Sequence, residues 1–560
     1  MKGKLLTLIF CAIIFGINGA KCQVSAIEKP EVKKIDWSGT IGTNMNFYAT
    51  NRIYNSANPF AYNVNANINM RILDAVDVPF SFTMGKYQNS FSNPFLQFSI
   101  SPRYKWANLH AGNINLTFNP YTLAGLSFWG VGTELNPGKF RFSAMYGRLS
   151  PAVEIDTTFT NSNIASFKRM GYGVKIGYGT NSNFIDLIYF HAKDDIHSIK
   201  SWQNLEIQKF MGDAAMLTPQ ENKVIGLSSK ATIIKKLMFT VDGGITFLNK
   251  NIAGTLFDKP KGLNISNDGI VHYAGKASLG YSFKNLFIST DYERVSPSYI
   301  SLGSYFFNND IENFTVSPSG VMANGKGSFN VSAGLQRNNL NNAKTETTKR
   351  FIGSANLSYM PVEKWNLMLN YNNFSIRQLP TIYTNPDALL LRQVNQTITF
   401  IPTYTIKQDT SAIHSFSVTT NYNDVNDRNI LTKKFGNMQS TMLSVNHSSL
   451  FTKNSNSISS GLNFNQIKTF GVTNTQLGIT GGFSKNILKQ KVLANINVNC
   501  NLSYINNVQD GSIINAGAFV RYELKRHSFS LNSTLINTVS KQFNGYTDLI
   551  SSIGYQFSLK

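Results

Sequence analysis

The stretch Val492-Leu493-Ala494-Asn495-Ile496-Asn497-Val498-Asn499-Cys500-Asn501-Leu502-Ser503-Tyr504 sorts two kinds of residue onto alternate positions. Val492, Ala494, Ile496, Val498, Cys500, Leu502 and Tyr504 form one set, and Asn495, Asn497, Asn499, Asn501 and Ser503 form the other. A period of two places the sets on opposite faces of a β-strand. Water solvates a ladder of amides and hydrocarbon rejects it, so one face is wet and the other is oily. Cys500 falls on the oily face, where a thiol is a small apolar filler rather than a nucleophile.

The same alternation begins at Ile35 and continues to the end of the chain. Ile35, Trp37, Ile41, Met45 and Phe47 oppose Asp36, Ser38, Thr40, Asn44 and Asn46. Tyr62, Val64, Ala66, Ile68, Met70 and Ile72 oppose Asn63, Asn65, Asn67, Asn69 and Arg71. Segment length decides what these strands build. Strands of soluble proteins average about five or six residues, whereas membrane-spanning strands need about nine to eleven. The segments here reach the membrane length, and their Asn and Ser parity offers no second dry core for a sandwich. No fixed repeat of the kind a β-helix requires is present.

Nothing after the first residues is a run of about 18 apolar residues, so no helix can cross a bilayer. A closed barrel is then the remaining way to span one. The expected fold is an all-β, transmembrane, antiparallel up-and-down barrel of about 26 strands without a plug domain. Short turns at 74–76, 136–138, 235–236, 284–285, 324–327, 361–364 and 525–526 alternate with long connections at 151–166, 194–220, 249–269, 297–311 and 377–390. A further short turn is expected at Pro102 to Tyr104. The even count requires a strand at 313–322.

Lys2 and Lys4, the apolar stretch from Leu5 to Ile17, and Gly19-Ala20-Lys21-Cys22 read as a secretory signal peptide over 1–22, cleaved before Gln23. Lys21 stands where a lipoprotein has Gly, Ala or Ser, which argues against lipidation of Cys22. Residues 23–34 then form a short periplasmic segment, and 35–560 the barrel. Export brings 49 basic residues against 30 acidic, since Lys2, Lys4 and Lys21 leave with the signal. The basic residues are scattered rather than clustered, so nucleic acid is not expected as a partner. Outer-membrane lipid and the phosphates of lipopolysaccharide are.

Gly554-Tyr555-Gln556-Phe557-Ser558-Leu559 resembles the C-terminal signal read by the barrel-assembly machinery, with Gly554, Phe557 and Leu559 as its anchors and Lys560 departing from the usual aromatic end. From Gln23 to Lys560 the chain resembles the large plug-free outer-membrane barrels of the Bacteroidota. That resemblance implies a porin-like architecture in the outer membrane and no defined activity.

A barrel of this size must be narrowed, because 16 to 18 strands already hold an aqueous channel. Trp202, Leu205, Phe210 and Met211 are spaced for one face of a helix within 194–220 and are candidates for a constriction or a partner-docking loop. Tyr299, Leu302, Tyr305, Phe306 and Phe307 make 298–310 an unusually apolar external loop, which must be buried against the wall, a neighbouring loop or a partner. The inward charges Arg71, Arg141, Asp242, Lys276, Asp291, Glu293, Arg521 and Glu523 are expected to pair across strands.

No enzyme is indicated. The seven histidines show no metal-ligand spacing, and Gly171, Gly173, Gly177 and Gly179 lie in an alternating strand with no helix after them. No cofactor is expected. The leading function is passage of a polar solute or polymer across the outer membrane. The rival is a non-conducting scaffold within a secretion, assembly or surface-display complex, with outer-membrane or periplasmic protein partners.

Overall fold

The computed structural model describes residues 35–52, 58–86, 97–154, 165–200, 217–253, 269–305, 308–381, 390–542 and 544–559. Each strand of the large sheet pairs antiparallel with its neighbours in sequence, from Ile35–Thr50 to Tyr546–Leu559. The first and last strands pair from Gly39 with Leu559 to Thr50 with Asp548, which closes the sheet. The result is a closed antiparallel barrel of 26 strands. Closure leaves no unpaired edge, the condition for a sheet in hydrocarbon. Among the described residues no helix is long and apolar enough to cross a membrane.

One strand is interrupted. Gln97–Ile100 and Arg103–Tyr104 lie in line between Val76–Lys86 and Ala107–Asn115. Pro102 sits in the gap and lacks the N–H that the ladder would use. The turn expected at Pro102 to Tyr104 is therefore displaced to Lys105 and Trp106, with Lys105 at φ 49°. The strand expected at 313–322 is present as Ile311–Met322.

At the end holding both strand termini, connections are tight turns such as Leu73 and Asp74, both at φ 51°. The opposite end carries the long loops through 296–310, then shortens to two-residue turns at Phe470 with Gly471 and Asn506 with Asn507. Asn506 and Asn507 sit at φ 49° and 66°, a left-handed conformation that asparagine tolerates and a tight hairpin needs.

The apolar parity is exposed all around the outside. Trp37, Ile41, Ile185, Leu187, Phe239, Ile245, Leu462, Ile479, Ile496 and Leu531 all present large apolar surface. An uninterrupted belt of this kind belongs against acyl chains, since water does not tolerate apolar patches of such extent. Inside, the seam is held near the long-loop end by Asp548, which accepts from Thr50 Oγ1 at 2.6 Å, Tyr48 OH at 3.2 Å and Arg52 Nη2 at 2.5 Å.

Candidate functional site: the narrowed lumen

Two connections fold into the barrel instead of standing above it. Residues 116–126 follow Ala107–Asn115, and residues 297–304 follow Leu286–Val295. Inside, they meet as a short parallel pair, Leu123–Ala124 against Gly303–Ser304. Their apolar side chains face the inner wall and make the hydrophobic core of the molecule. Leu116, Phe118, Leu123 and Leu302 pack with Ile114, Phe128, Met145, Leu149, Ile188, Phe190, Ala192, Val224 and Leu248. A second cluster joins Tyr121, Tyr299, Ala274, Val295 and Ile311. The unfilled lumen is aqueous, so burying each such side chain contributes roughly 1.5–3 kcal/mol, a driving force absent on the lipid side.

The wall is shaped to receive them. A side-chain carbon at Gly226 would stand 2.5 Å from Thr122 Cγ2, and one at Gly244 would stand 2.6 Å from the Tyr299 hydroxyl. Both distances are far inside contact range, so glycine is required at these two positions for the close approach.

Buried polar groups fix the register of the insert. Asn119 Nδ2 donates to the wall carbonyls of Gly243 at 3.0 Å and Leu227 at 3.3 Å, while its Oδ1 accepts from Tyr121 N and Thr122 Oγ1. Asn222, fully buried, donates to Thr246 Oγ1 at 2.6 Å and accepts from Leu302 N at 3.0 Å. Thr246 Oγ1 donates to Ile300 O at 2.7 Å. Between the segments, Tyr299 OH donates to Tyr121 O at 2.7 Å and Ser301 Oγ to Thr122 O. Tyr121 OH then donates to Glu293 Oε1 at 2.8 Å. Burial pushes both tyrosine hydroxyls up, with Glu293 adding to the effect at Tyr121, so both remain neutral donors.

Among the described residues, the remaining wall, Gly327–Arg337 through Tyr546–Leu559, carries no such core. Its inner parity is dominated by amides and hydroxyls. Thr397 Oγ1 donates to Asn423 Oδ1 at 3.1 Å, Asn421 Nδ2 to Thr399 Oγ1 at 2.7 Å, Ser444 Oγ to Asn463 Oδ1 at 3.0 Å, and Asn501 to Asn499. Several inward charges are paired: Arg71 with Asp77 at 2.9 Å, Arg141 with Asp186 at 2.8 Å, Lys276 with Asp291 at 3.5 Å, and Arg521 with Glu523, while Arg350 donates to Gln336 Oε1 at 2.8 Å. Asp242 accepts from Ser228 Oγ at 2.6 Å.

Of the residues singled out from sequence, Tyr299 and Leu302 are buried, but within the lumen rather than in an external loop. Tyr305 departs from the expectation of burial, being 85% exposed beyond the point where the segment leaves the insert. Phe306 and Phe307 lie outside the described residues, as do Trp202, Leu205, Phe210 and Met211. Gly554, Phe557 and Leu559 lie on the closing strand opposite Asn44, Ile41 and Gly39. Sequence reasoning missed segment 116–126 altogether. The available signal was Phe184–Asp194, whose Ile185, Leu187 and Tyr189 face out while Ile188, Phe190 and Ala192 face in. Apolar residues on both parities mark a strand covered on both faces. Among the described residues no cluster of His, Cys, Asp or Glu could hold a metal ion.

No protein-family model matches the chain, and no curated protein does. Solved structures of outer-membrane barrels are similar to it in architecture at low identity. The translocation pore of the P pilus usher PapC shares 10% identity and a TM-score of 0.37, over 94% of this chain and 99% of that one. OccK10 (OpdN) of Pseudomonas aeruginosa shares 12% identity and a TM-score of 0.33, over 69% and 99%. A chain of the E. coli P pilus tip assembly intermediate PapC-PapD-PapK-PapG shares 11% identity and a TM-score of 0.46, over 94% and 64%. Likeness of this order carries no argument about what this chain transports or binds.

Proposed function

We propose that this chain is an outer-membrane barrel that passes a polar, largely uncharged solute or polymer through the part of its lumen left beside the insert. In this reading residues 1–22 direct export, and Gly554, Phe557 and Leu559 serve assembly. Short turns then lie in the periplasm and long loops outside. The observation that carries the proposal is the asymmetry of the lumen. One wall is covered by segments 116–126 and 297–304, held by buried hydrogen bonds. The facing wall is mostly amides and hydroxyls, which hydrogen-bond solutes without committing to a charge.

Conductance after reconstitution of the purified barrel in planar bilayers tests it. Open channels with weak preference between cations and anions are expected, because many of the lumen charges are paired. A silent barrel that copurifies in fixed ratio with other proteins would defeat the proposal and favour the scaffold role.

A further inference from the structure

The outer surface near the long-loop end carries a feature that passage does not use. Lys349, Arg377, Arg392 and Arg428 line one groove of about 630 Å³. Lys349 is in register with Arg377, Arg377 is in register with Arg392, and Arg428 N donates to Arg392 O. Directly opposed residues on one sheet face sit about 4.5–5.5 Å apart, where like charges destabilise the pairing. Among the described residues, no carboxylate forms an ion pair with Lys349, Arg377 or Arg428. Further around the same rim, by contrast, Arg294 and Arg337 share Glu312 at 2.9 and 2.5 Å.

These cations face outward. Two residues on from Lys349 is Phe351, paired with Leu335, and two residues on from Arg392 is Val394. Leu335 is 64% and Phe351 40% exposed on the same face as the lipid belt. Leu335, Phe351, Ser375 and Val394 form the row beside the cations, and Asn373 and Gln396 form the next row toward mid-barrel. Cations directly beside apolar side chains, on a surface turned to the bilayer, match a molecule with an anionic head and acyl chains. Lys433, Lys434 and Lys468 line the adjoining groove and extend the basic rim, with Asp424 beside them.

We infer that the groove binds a phosphorylated lipid of the outer leaflet, its phosphate among Lys349, Arg377, Arg392 and Arg428 and an acyl chain over Leu335, Phe351 and Val394. The inference rests on the membrane placement proposed above, not on conduction, so a silent barrel leaves it standing.

The test adds bisphosphorylated lipid A to delipidated, detergent-held barrel and follows the thermal unfolding midpoint, which a ligand of the folded state raises. Lipid A should raise it for the native chain, whereas dephosphorylated lipid A with the same acyl chains and inorganic phosphate alone should not. The triple variant K349Q/R377Q/R428Q should need at least about tenfold more lipid A for the same shift, and K349R/R377K/R428K should restore the native response. The dephosphorylated-lipid and phosphate arms need only the native barrel, so a variant that fails to fold does not remove the test. Equal response to dephosphorylated lipid A, equal response to inorganic phosphate, or an acidic protein held in place of lipid would each overturn the inference.

Discussion

The wall from Ala107–Asn115 to Leu286–Val295 and the wall from Gly327–Arg337 to Tyr546–Leu559 obey the same outer rule and opposite inner ones. Both present aliphatic and aromatic side chains to the outside. Inside, the first wall offers Ile188, Phe190, Val224 and Leu248 to two inserted segments, and the second offers Asn495, Asn497, Asn499 and Asn501 to the lumen. The difference teaches that a membrane barrel has a dry core only where chain returns to cover the inner face. Elsewhere the hydrogen-bonded sheet and the lipid maintain the fold, and the inner parity is free to serve the solute.

The sharpest way to break this contrast is to place a carboxylate on each inner wall. Phe190→Asp should cost about 3–5 kcal/mol from the lost ring alone, with the desolvation of an unpaired charge added. The insert should detach, seen as protease cleavage within 116–126 and larger conductance steps. Asn497→Asp should leave both unchanged. Equal sensitivity of the two sites would mean that the insert does not seal against Phe190.

The second comparison crosses the sheet rather than the lumen. A charge near the bilayer midplane costs roughly 2–4 kcal/mol on the lipid side of a barrel and little on the wet side. Ile496→Arg should therefore reduce folded barrel in isolated membranes, and Asn497→Arg should not. Equal loss from both would reverse the assignment of faces.

These two experiments also mark what the sequence makes legible. The lipid imposes one demand on every strand, so alternation announces the fold from Trp37 to Leu559 without knowledge of any contact. The inner face has no single demand. Whether its residues read as polar or apolar depends on which loop comes back, and that is decided by contacts remote in sequence: Asn119 reaches wall carbonyls 108 and 124 residues away. Tyr299 and Leu302 were recognisable as apolar side chains needing burial, yet nothing local said that their cover was the lumen itself. Segment 116–126 is short and moderately polar, so it reads as an ordinary connection until Gly226 and Gly244 are seen beneath it.

A smaller effect should follow from removing one anchor. Asn222→Ala deletes hydrogen bonds to Thr246, Phe247 and Leu302 in a fully buried setting and should cost about 1–3 kcal/mol. Asn499→Ala, on the open wall where water can replace the partner, should fall within about 0.5 kcal/mol. Urea midpoints of the refolded barrels measure both. A cost at Asn499 as large as that at Asn222 would mean the second wall is also covered.

The smallest expected effect concerns how each kind of connection is anchored. Loop 296–310 ends at Asp310, whose carboxylate accepts from Leu340 N at 2.8 Å and Asn339 N at 3.0 Å and lies 2.5 Å from Lys344 Nζ. Burial pushes this carboxyl up, but Lys344 and the two amides outweigh burial and hold it below the ordinary carboxylate value. A carboxyl lowered by folding stabilises the folded state above its unfolded pKa of about 3.9, and the contribution is lost as pH falls through the lower folded value. Amide exchange in 296–310, corrected for intrinsic rates, should therefore be unchanged from pH 7 to about pH 5 and should quicken only below about pH 4. Asp310→Asn should quicken it from pH 7 down to about pH 4 and abolish the acid step. The turns at Phe470 with Gly471 and Asn506 with Asn507 contain no titratable side chain and should show no step. If the acid step persisted in Asp310→Asn, another carboxylate would be holding the loop, and the contrast between titratable and untitratable connections would have to be redrawn around that group.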